Sequence, residues 1–360
     1  MKLSIVKASL RSGFHSAIAR RWRRKVWSAE KRRVNRGGKP SDRYVRIGKL
    51  IWLTAKAPPS IDVFDPNDRK STVDFLISLR DASRRKGVGL IVDLSGIKQI
   101  RPSGAVLLLA EIDRAALGQL SQTLRIVRCT DPVIHAVLCQ IGVYVTGEGP
   151  TQEAEREDVR HWRYATGVAS EGEKGGTFLE AYEGRLANGL TNDLYAGIVE
   201  AMTNTVHHAY ADPAGAELRR FIGRRWWALS QERDGDLTIA FCDLGIGIPR
   251  SLPRSSTFAR PMVQAMWKKL GLDRSDANAI RVAVELGRTS TGQEGRGRGL
   301  SEIVEAANLS SEGRVLISSN RGVFVSVGGK AQAHDHSHSI RGTLIHWTVR
   351  FADGGDSDGE

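Results

Sequence analysis

Three short stretches carry residue types and spacings that suit chemistry. Glu200, Asn204 and His208 stand four residues apart, and on an α-helix that spacing puts them on neighbouring positions of one side. A carboxylate one turn from an amide oxygen is a sensible pair for a water and a Mg²⁺, an ion that takes hard oxygen ligands and is held by one or two side chains plus phosphates. The same trio also fits a solvated helix face. Asp243 ends the alternating run Leu237-Thr238-Ile239-Ala240-Phe241-Cys242 and is followed by Leu244-Gly245-Ile246-Gly247-Ile248-Pro249. A carboxylate fixed at a strand terminus can accept from an exocyclic amine, and the glycines let a base approach the backbone; a strand ending in a Gly turn has the same pattern. The third stretch, Gly295-Arg296-Gly297-Arg298-Gly299-Leu300, precedes a helix over 301–308. Free N–H groups at a helix start, with two arginines, make an anion site. A dinucleotide fingerprint must follow directly on a strand; here a helix over 277–286 and a Thr/Ser-rich loop precede it, and no Walker Gly-Lys-Ser/Thr exists.

Other clusters are weaker. His334, His336 and His338 would share a face in a strand, but Gly328-Gly329 and the polar setting favour a hairpin loop over a zinc site. Trp226-Trp227 reads as core or strand edge. Cys129, Cys139 and Cys242 are odd in number and form no Cys-x-x-Cys pattern, so neither a disulfide framework nor a zinc ribbon is indicated and a reducing, cytoplasmic setting is the default. The longest uncharged apolar run, Ala105 to Ala110, falls far short of the ~18 residues of a membrane span.

Two α/β units must position these residues. In the first, a strand over 44–53 stops at Ala57-Pro58-Pro59, a helix spans 71–86, and a buried strand runs from Gly89 to Leu94. A helix over 103–117, a strand at 124–128 and a helix at 132–142 complete the alternation, with Ser103 as an N-cap. Residues 148–184 read as a connector with short ordered pieces. The second unit starts with a helix from Thr191 that buries Leu194, Ile198, Ala201, Met202 and Val206 and stops at Asp212-Pro213. It closes with strands at 315–318, 323–327 and 343–349. Residues 352–360 form an acidic, disordered tail.

Charge is unevenly placed. The 360 residues hold 53 Lys plus Arg against 40 Asp plus Glu, a net +13, yet fifteen cations and only two anions fall within residues 1–46. The remainder is neutral, so the pI near 9.9 describes an N-terminal arm. Residues 1–29 lack acids, as transit peptides do, but a helix over 7–27 would set Lys7, Arg11 and Arg21 inside its apolar band. The basic residues around Trp22 and Trp27 suit a polyanion such as nucleic acid; a solvated arm is the alternative.

Ile91-Val92-Asp93-Leu94-Ser95-Gly96-Ile97, with Ser103-Gly104 opening a helix, resembles the STAS domain of anti-sigma-factor antagonists and sulfate transporters. That family carries its phosphorylated Ser in an Asp-Ser-Ser/Thr-Gly; here Pro102 holds the acceptor position, which disfavours a phospho-switch. Glu200-x-x-x-Asn204-x-x-x-His208, then Asp243-x-Gly245-x-Gly247-Ile248-Pro249, then Gly297-Arg298-Gly299-Leu300, then Gly342-Thr343 resemble, in order, the N, G1, G2 and G3 boxes of the GHKL ATPases. The resemblance implies an α/β fold in five parts: a basic arm over 1–46, a small STAS-like α/β domain over 47–147, the connector over 148–184, a GHKL α/β sandwich over 185–351 and the tail. It implies ATP and Mg²⁺ as cofactors. Asn204 would ligand Mg²⁺, Asp243 would bind the adenine amine, Gly245 and Gly247 would give the base room, and Ile248 would be among the ATP-binding residues. Gly297 and Gly299 would meet the phosphates, with Leu300 beside them among the ATP-binding residues and Arg296 and Arg298 as departures from the common pattern, and Thr343 would support the adenine side. Glu200 would be the general base and His208 would close the N box. Residues between the second and third boxes, including Phe258, Met262, Met266 and Trp267, would form a long ATP lid. The implied function is a slow, nucleotide-controlled ATPase switch acting on a protein partner or a second copy through the STAS-like domain and the lid. A serine/threonine kinase of the anti-sigma type and a non-catalytic polyanion-binding scaffold are the alternatives. No phosphoacceptor helix of sensor kinases is present.

Overall fold

An antiparallel hairpin stands where the sequence suggests one strand over 44–53. In this computed structural model β1 (Tyr44–Ile47) lies beside β2 (Leu50–Lys56), with Tyr44 opposite Leu53 and Ile47 opposite Leu50. A two-residue link containing Gly is a common hairpin connection, and only Gly48-Lys49 separates the two runs in the sequence. The structure describes residues 44–47, 50–84, 88–118, 124–144, 161–187, 189–212, 219, 222–254, 259–289, 300–308 and 313–352. Most of the basic arm, the acidic tail from 353 and residues 290–299 lie outside them.

The first unit continues as strand and helix in alternation. A minor parallel pair, β3 (Ser60–Ile61) and β5 (Gln99–Ile100), flanks the main sheet. Helix α1 (Pro66–Ser83) starts where Asp65 accepts from Asn67 N at 2.8 Å and Pro66 fills the first turn. β4 (Gly89–Asp93) runs parallel to β2 and to β6 (Leu124–Val127), giving the order β1-β2-β4-β6. Helix α2 (Pro102–Gly118) precedes β6, and α3 (Pro132–Gln140), capped by Asp131, follows it. Ser103 is not the N-cap of α2. Pro102 is already helical, Arg101 is the flanking residue whose carbonyl accepts from Ala105 N at 2.8 Å, and Ser103 is buried in the first turn. Proline suits that first position because its missing N–H would have no helical partner anyway.

A seven-stranded antiparallel sheet forms the second layer. It is built from β7 (Trp162–Gly167), β8 (Trp226–Arg233), β9 (Asp236–Asp243), β10 (Arg314–Ser319), β11 (Gly322–Val327), β12 (Lys330–Asp335) and β13 (Thr343–Arg350). The order is β12-β11-β10-β13-β9-β8-β7. β7 and the following α4 (Gly172–Glu180) fall within 148–184, so part of that segment belongs to this layer. Strand residues alternate faces. Trp226, Ile239 and Phe241 therefore pack with α5 (Leu190–Asn204), α8 (Asp276–Thr289) and α9 (Leu300–Asn308).

The opposite face belongs to the first unit. Trp227, Leu229, Ala240, Cys242 and Leu344 share one apolar core with residues of α1, α2 and the small sheet. Trp227 Nε1 donates to Asp113 Oδ2 at 2.9 Å, and Cys242 Sγ lies 3.8 Å from the Val106 carbonyl. α2 is thus sandwiched between two sheets, which explains why nearly its whole circumference is buried. The protein is a mixed α/β fold with one largely parallel and one antiparallel sheet. Among the described residues no helix is long and apolar enough to cross a membrane.

The described part of the stretch between the second and third motifs is largely helical. After the short α6 (Ile248–Ser251) come α7 (Ala259–Leu270) and α8, and α8 inserts Ile280 and Val284 into the sheet's core. Val263, Met266 and Trp267 of α7 pack with Ala279 and Val282 of α8. The apolar periodicity of this segment reports helix packing, leaving Met262 exposed and Phe258 outside the described residues.

Candidate functional site

Cross-strand register builds one end of the large sheet into a polar row. Trp226, Asp243, Thr343 and Ser319 are successive partners across β8, β9, β13 and β10. Asp243 shares its strand parity with Ile239 and Phe241, so it belongs to the face covered by α5 and α9. It is 6 % exposed, and its Oδ1 accepts from Gly245 N at 2.7 Å. Burial pushes its carboxyl up to about 6, although hydrogen bonds from Gly245 and Thr343 and the Arg80 charge pull the other way. Ser319 Oγ lies 3.2 Å from Thr343 Oγ1 and accepts from Ile248 N at 2.8 Å.

Glycine is required where the surrounding loops approach one another. A Cβ on Gly245 would fall 2.2 Å from the Ala209 carbonyl oxygen, and one on Gly342 would fall 2.3 Å from that of Asp243. Real contacts never come so close, so neither position accepts a side chain without backbone movement. Ile246 N donates to Ala209 O at 2.8 Å, which ties the Asp243 loop to the end of the helix bearing Glu200 and Asn204.

That helix, α5, buries Leu194, Ile198, Ala201 and Met202 and leaves Glu200 and Asn204 half-buried at its edge. Asn204 Nδ2 donates to Glu200 Oε1 at 2.9 Å. The next residues widen into a π-helical turn, Thr205–Ala209, a distortion that recurs at functional sites. It rotates His208 away from the straight α-helical stripe assumed from the four-residue spacing. The His208 side chain is exposed, with its ring 6.1 Å from that of His207. Glu200 and Asn204 are therefore brought together, while His208 is offset from them.

Asp243, Gly245, Gly247, Ile248 and Thr343 converge at the sheet end. Leu300 is the first residue of α9, packed partly against the core. Arg296, Gly297, Arg298 and Gly299 lie outside the described residues. Two contributors were missed in the sequence. Ser319 organises the row, and Asn320 Nδ2 donates to the Ile246 carbonyl at 2.9 Å. The only signal for them is Ser318-Ser319-Asn320, a polar end on an apolar strand.

The histidine cluster does not converge as a trio. His334 lies at the end of β12, in a strand and not a loop, with its Nε2 3.1 Å from that of His336. His338 instead meets Ser337 Oγ at 2.7 Å and lies 3.8 Å from Asp74. Burial, followed by the charges of Arg69 and His334, lowers His336 to about 4. Among the described residues no group of three or more His, Cys, Asp or Glu could hold a metal ion.

The chain matches no protein-family model and no curated protein sequence.

Proposed function

We propose that the chain is a Mg²⁺-dependent ATP-binding switch of the GHKL type, joined to a STAS-like unit, with slow ATP hydrolysis. The observation that carries this reading is the junction at Gly245. There a buried carboxylate at a strand end meets the end of a helix carrying a hydrogen-bonded carboxylate and amide. Asp243 would accept from the adenine amine, supported by the Thr343 and Ser319 hydroxyls beside it. Glu200 would orient the attacking water and accept its proton.

The donor set suits the metal. Asn204 and Glu200 offer hard oxygen atoms, and Mg²⁺ ordinarily takes only one or two side chains besides phosphates and waters. When bound, the ion would neutralise phosphate charge. Asn204 would hold it, and its hydrogen bond to Glu200 would keep both side chains oriented. The glycine-rich residues 295–299 supply the anion-binding chemistry in this reading.

The test is calorimetric titration and labelled-ATP turnover on the full chain. Binding of ATP should require Mg²⁺ and be lost in Asp243→Asn, and released phosphate should disappear in Glu200→Ala. ATP binding that survives Asp243→Asn would overturn the site, and label appearing on a partner protein would favour a kinase.

A further inference from the structure

A second concavity lies where α1 and α2 meet the loops that follow β9, β10 and β12. Its volume is about 470 Å³, within the range of small-molecule sites. Six arginines line it: Arg80 and Arg84 from α1 and its end, Arg114 from α2, Arg250 from α6, and Arg321 and Arg341 from the loops. Among the described lining residues Asp276 is the sole acid.

Part of this charge is already neutralised. Glu111 accepts from Arg80 Nε at 2.6 Å and from Arg114 Nε at 2.7 Å. Arg250 pairs with Asp212 at 2.9 Å, and Arg341 lies 3.5 Å from Asp81. The Arg84 and Arg321 side chains have no acidic partner among the described residues. Counting Asp276 and the ionised Asp243, on which the Arg80 charge acts, with these three acids still leaves the six guanidinium groups in excess by one charge.

Arg114 is the decisive residue. It is only 5 % exposed, yet its Nη2 has no hydrogen-bond partner. A buried cationic donor left unpaired is costly. Burial first, and then the charges of Arg80 and Arg84, lower its pKa despite Glu111. The residual positive charge and several guanidinium forks match the oxygens of a phosphate group better than a single carboxylate.

We propose that this cleft binds a multiply charged phosphate-bearing anion, held by Arg114 Nη2 from the buried side and by Arg84 and Arg321 from the open side. The arginines of the cleft lie outside the Asp243 site, although Gly245 and Asn320 line both, and the proposal does not depend on ATP binding there. The cleft's backbone rim, Leu244 to Ile246, is shared with the Asp243 loop.

The experiment is isothermal titration of the full chain with pyrophosphate. Wild-type protein should bind it saturably, and Arg114→Met should weaken it at least tenfold while leaving Glu111 paired with Arg80. The double variant Arg84→Ala/Arg321→Ala changes two exposed side chains and should weaken it similarly. If circular dichroism finds Arg114→Met unfolded, the double variant decides alone. Absence of saturable binding, or unchanged affinity in the folded variants, would overturn the proposal and place any pyrophosphate on the arm or the glycine-rich stretch. A competition arm in Asp243→Asn protein separates two sources of the same chemistry. Displacement of pyrophosphate by ATP identifies a nucleotide's polyphosphate chain, and displacement by orthophosphate alone identifies a free inorganic anion.

Discussion

Asp243 carries a cost that its surroundings do not remove. Its carboxyl is raised from the usual 3.8 to about 6, first by burial. Between about pH 4 and 6 the folded protein keeps a proton that the unfolded chain releases, so stability falls as pH rises through that window. A shift of about two units corresponds to roughly 3 kcal/mol. Asn at this position keeps an oxygen to accept from Gly245 N but cannot ionise. Asp243→Asn should therefore melt higher than wild type at pH 8 and alike at pH 4, as followed by thermal denaturation at the two pH values. Equal melting temperatures at pH 8 would mean that the carboxylate is better solvated than its burial indicates. The measurement also separates a specific loss of nucleotide binding in this variant from unfolding.

Between α1 and α2 the decisive contact is ionic. Glu111 is fully buried with Arg80 and Arg114 around it. Burial alone would raise its carboxyl, but the two arginine charges and their hydrogen bonds outweigh this and hold it below its ordinary value. Arg80 also donates to the Arg341 carbonyl at 2.8 Å, reaching the loop that enters β13. Removing the shared carboxylate leaves two buried cations without their counter-charge. Glu111→Ala should cost about 3–5 kcal/mol in urea unfolding, and a loss under 1 kcal/mol would show that water reaches the pair. The individual elements were legible in the sequence where their periods were strong. β4, β6, α3 and β9 stand within a few residues of the expected bounds because apolar runs and Asp or Pro boundaries mark them. β7 was not legible, since Trp162-Arg163-Tyr164-Ala165-Thr166-Gly167 is an edge strand with no consistent apolar face. The residues of the Asp243 end were marked by their glycines, whereas the π turn that displaces His208 has no local signature.

At the scale of the whole molecule, two sheets share α2. The run Ala105-Val106-Leu107-Leu108-Leu109-Ala110 has no polar side, and a helix apolar all round must be covered all round. The sequence marks a helix here but not what covers it, because Trp227, Leu229, Ala240, Cys242 and Leu344 lie more than a hundred residues away along the chain. These five are almost inaccessible in the structure. Detaching residues 44–147 would expose them as one contiguous apolar face, a surface of the kind that drives association. It would also remove the Asp113 acceptor of the Trp227 indole N–H. A fragment spanning 161–352 should therefore be aggregated or molten, binding a hydrophobic dye and eluting early in gel filtration, whereas co-expression with residues 44–147 should restore a compact heterodimer. A monomeric fragment with a sharp thermal transition would show instead that the large sheet folds independently and that α2 merely docks on it. That outcome would make the junction, with its arginine cleft, a separable interface and not a fixed part of the core.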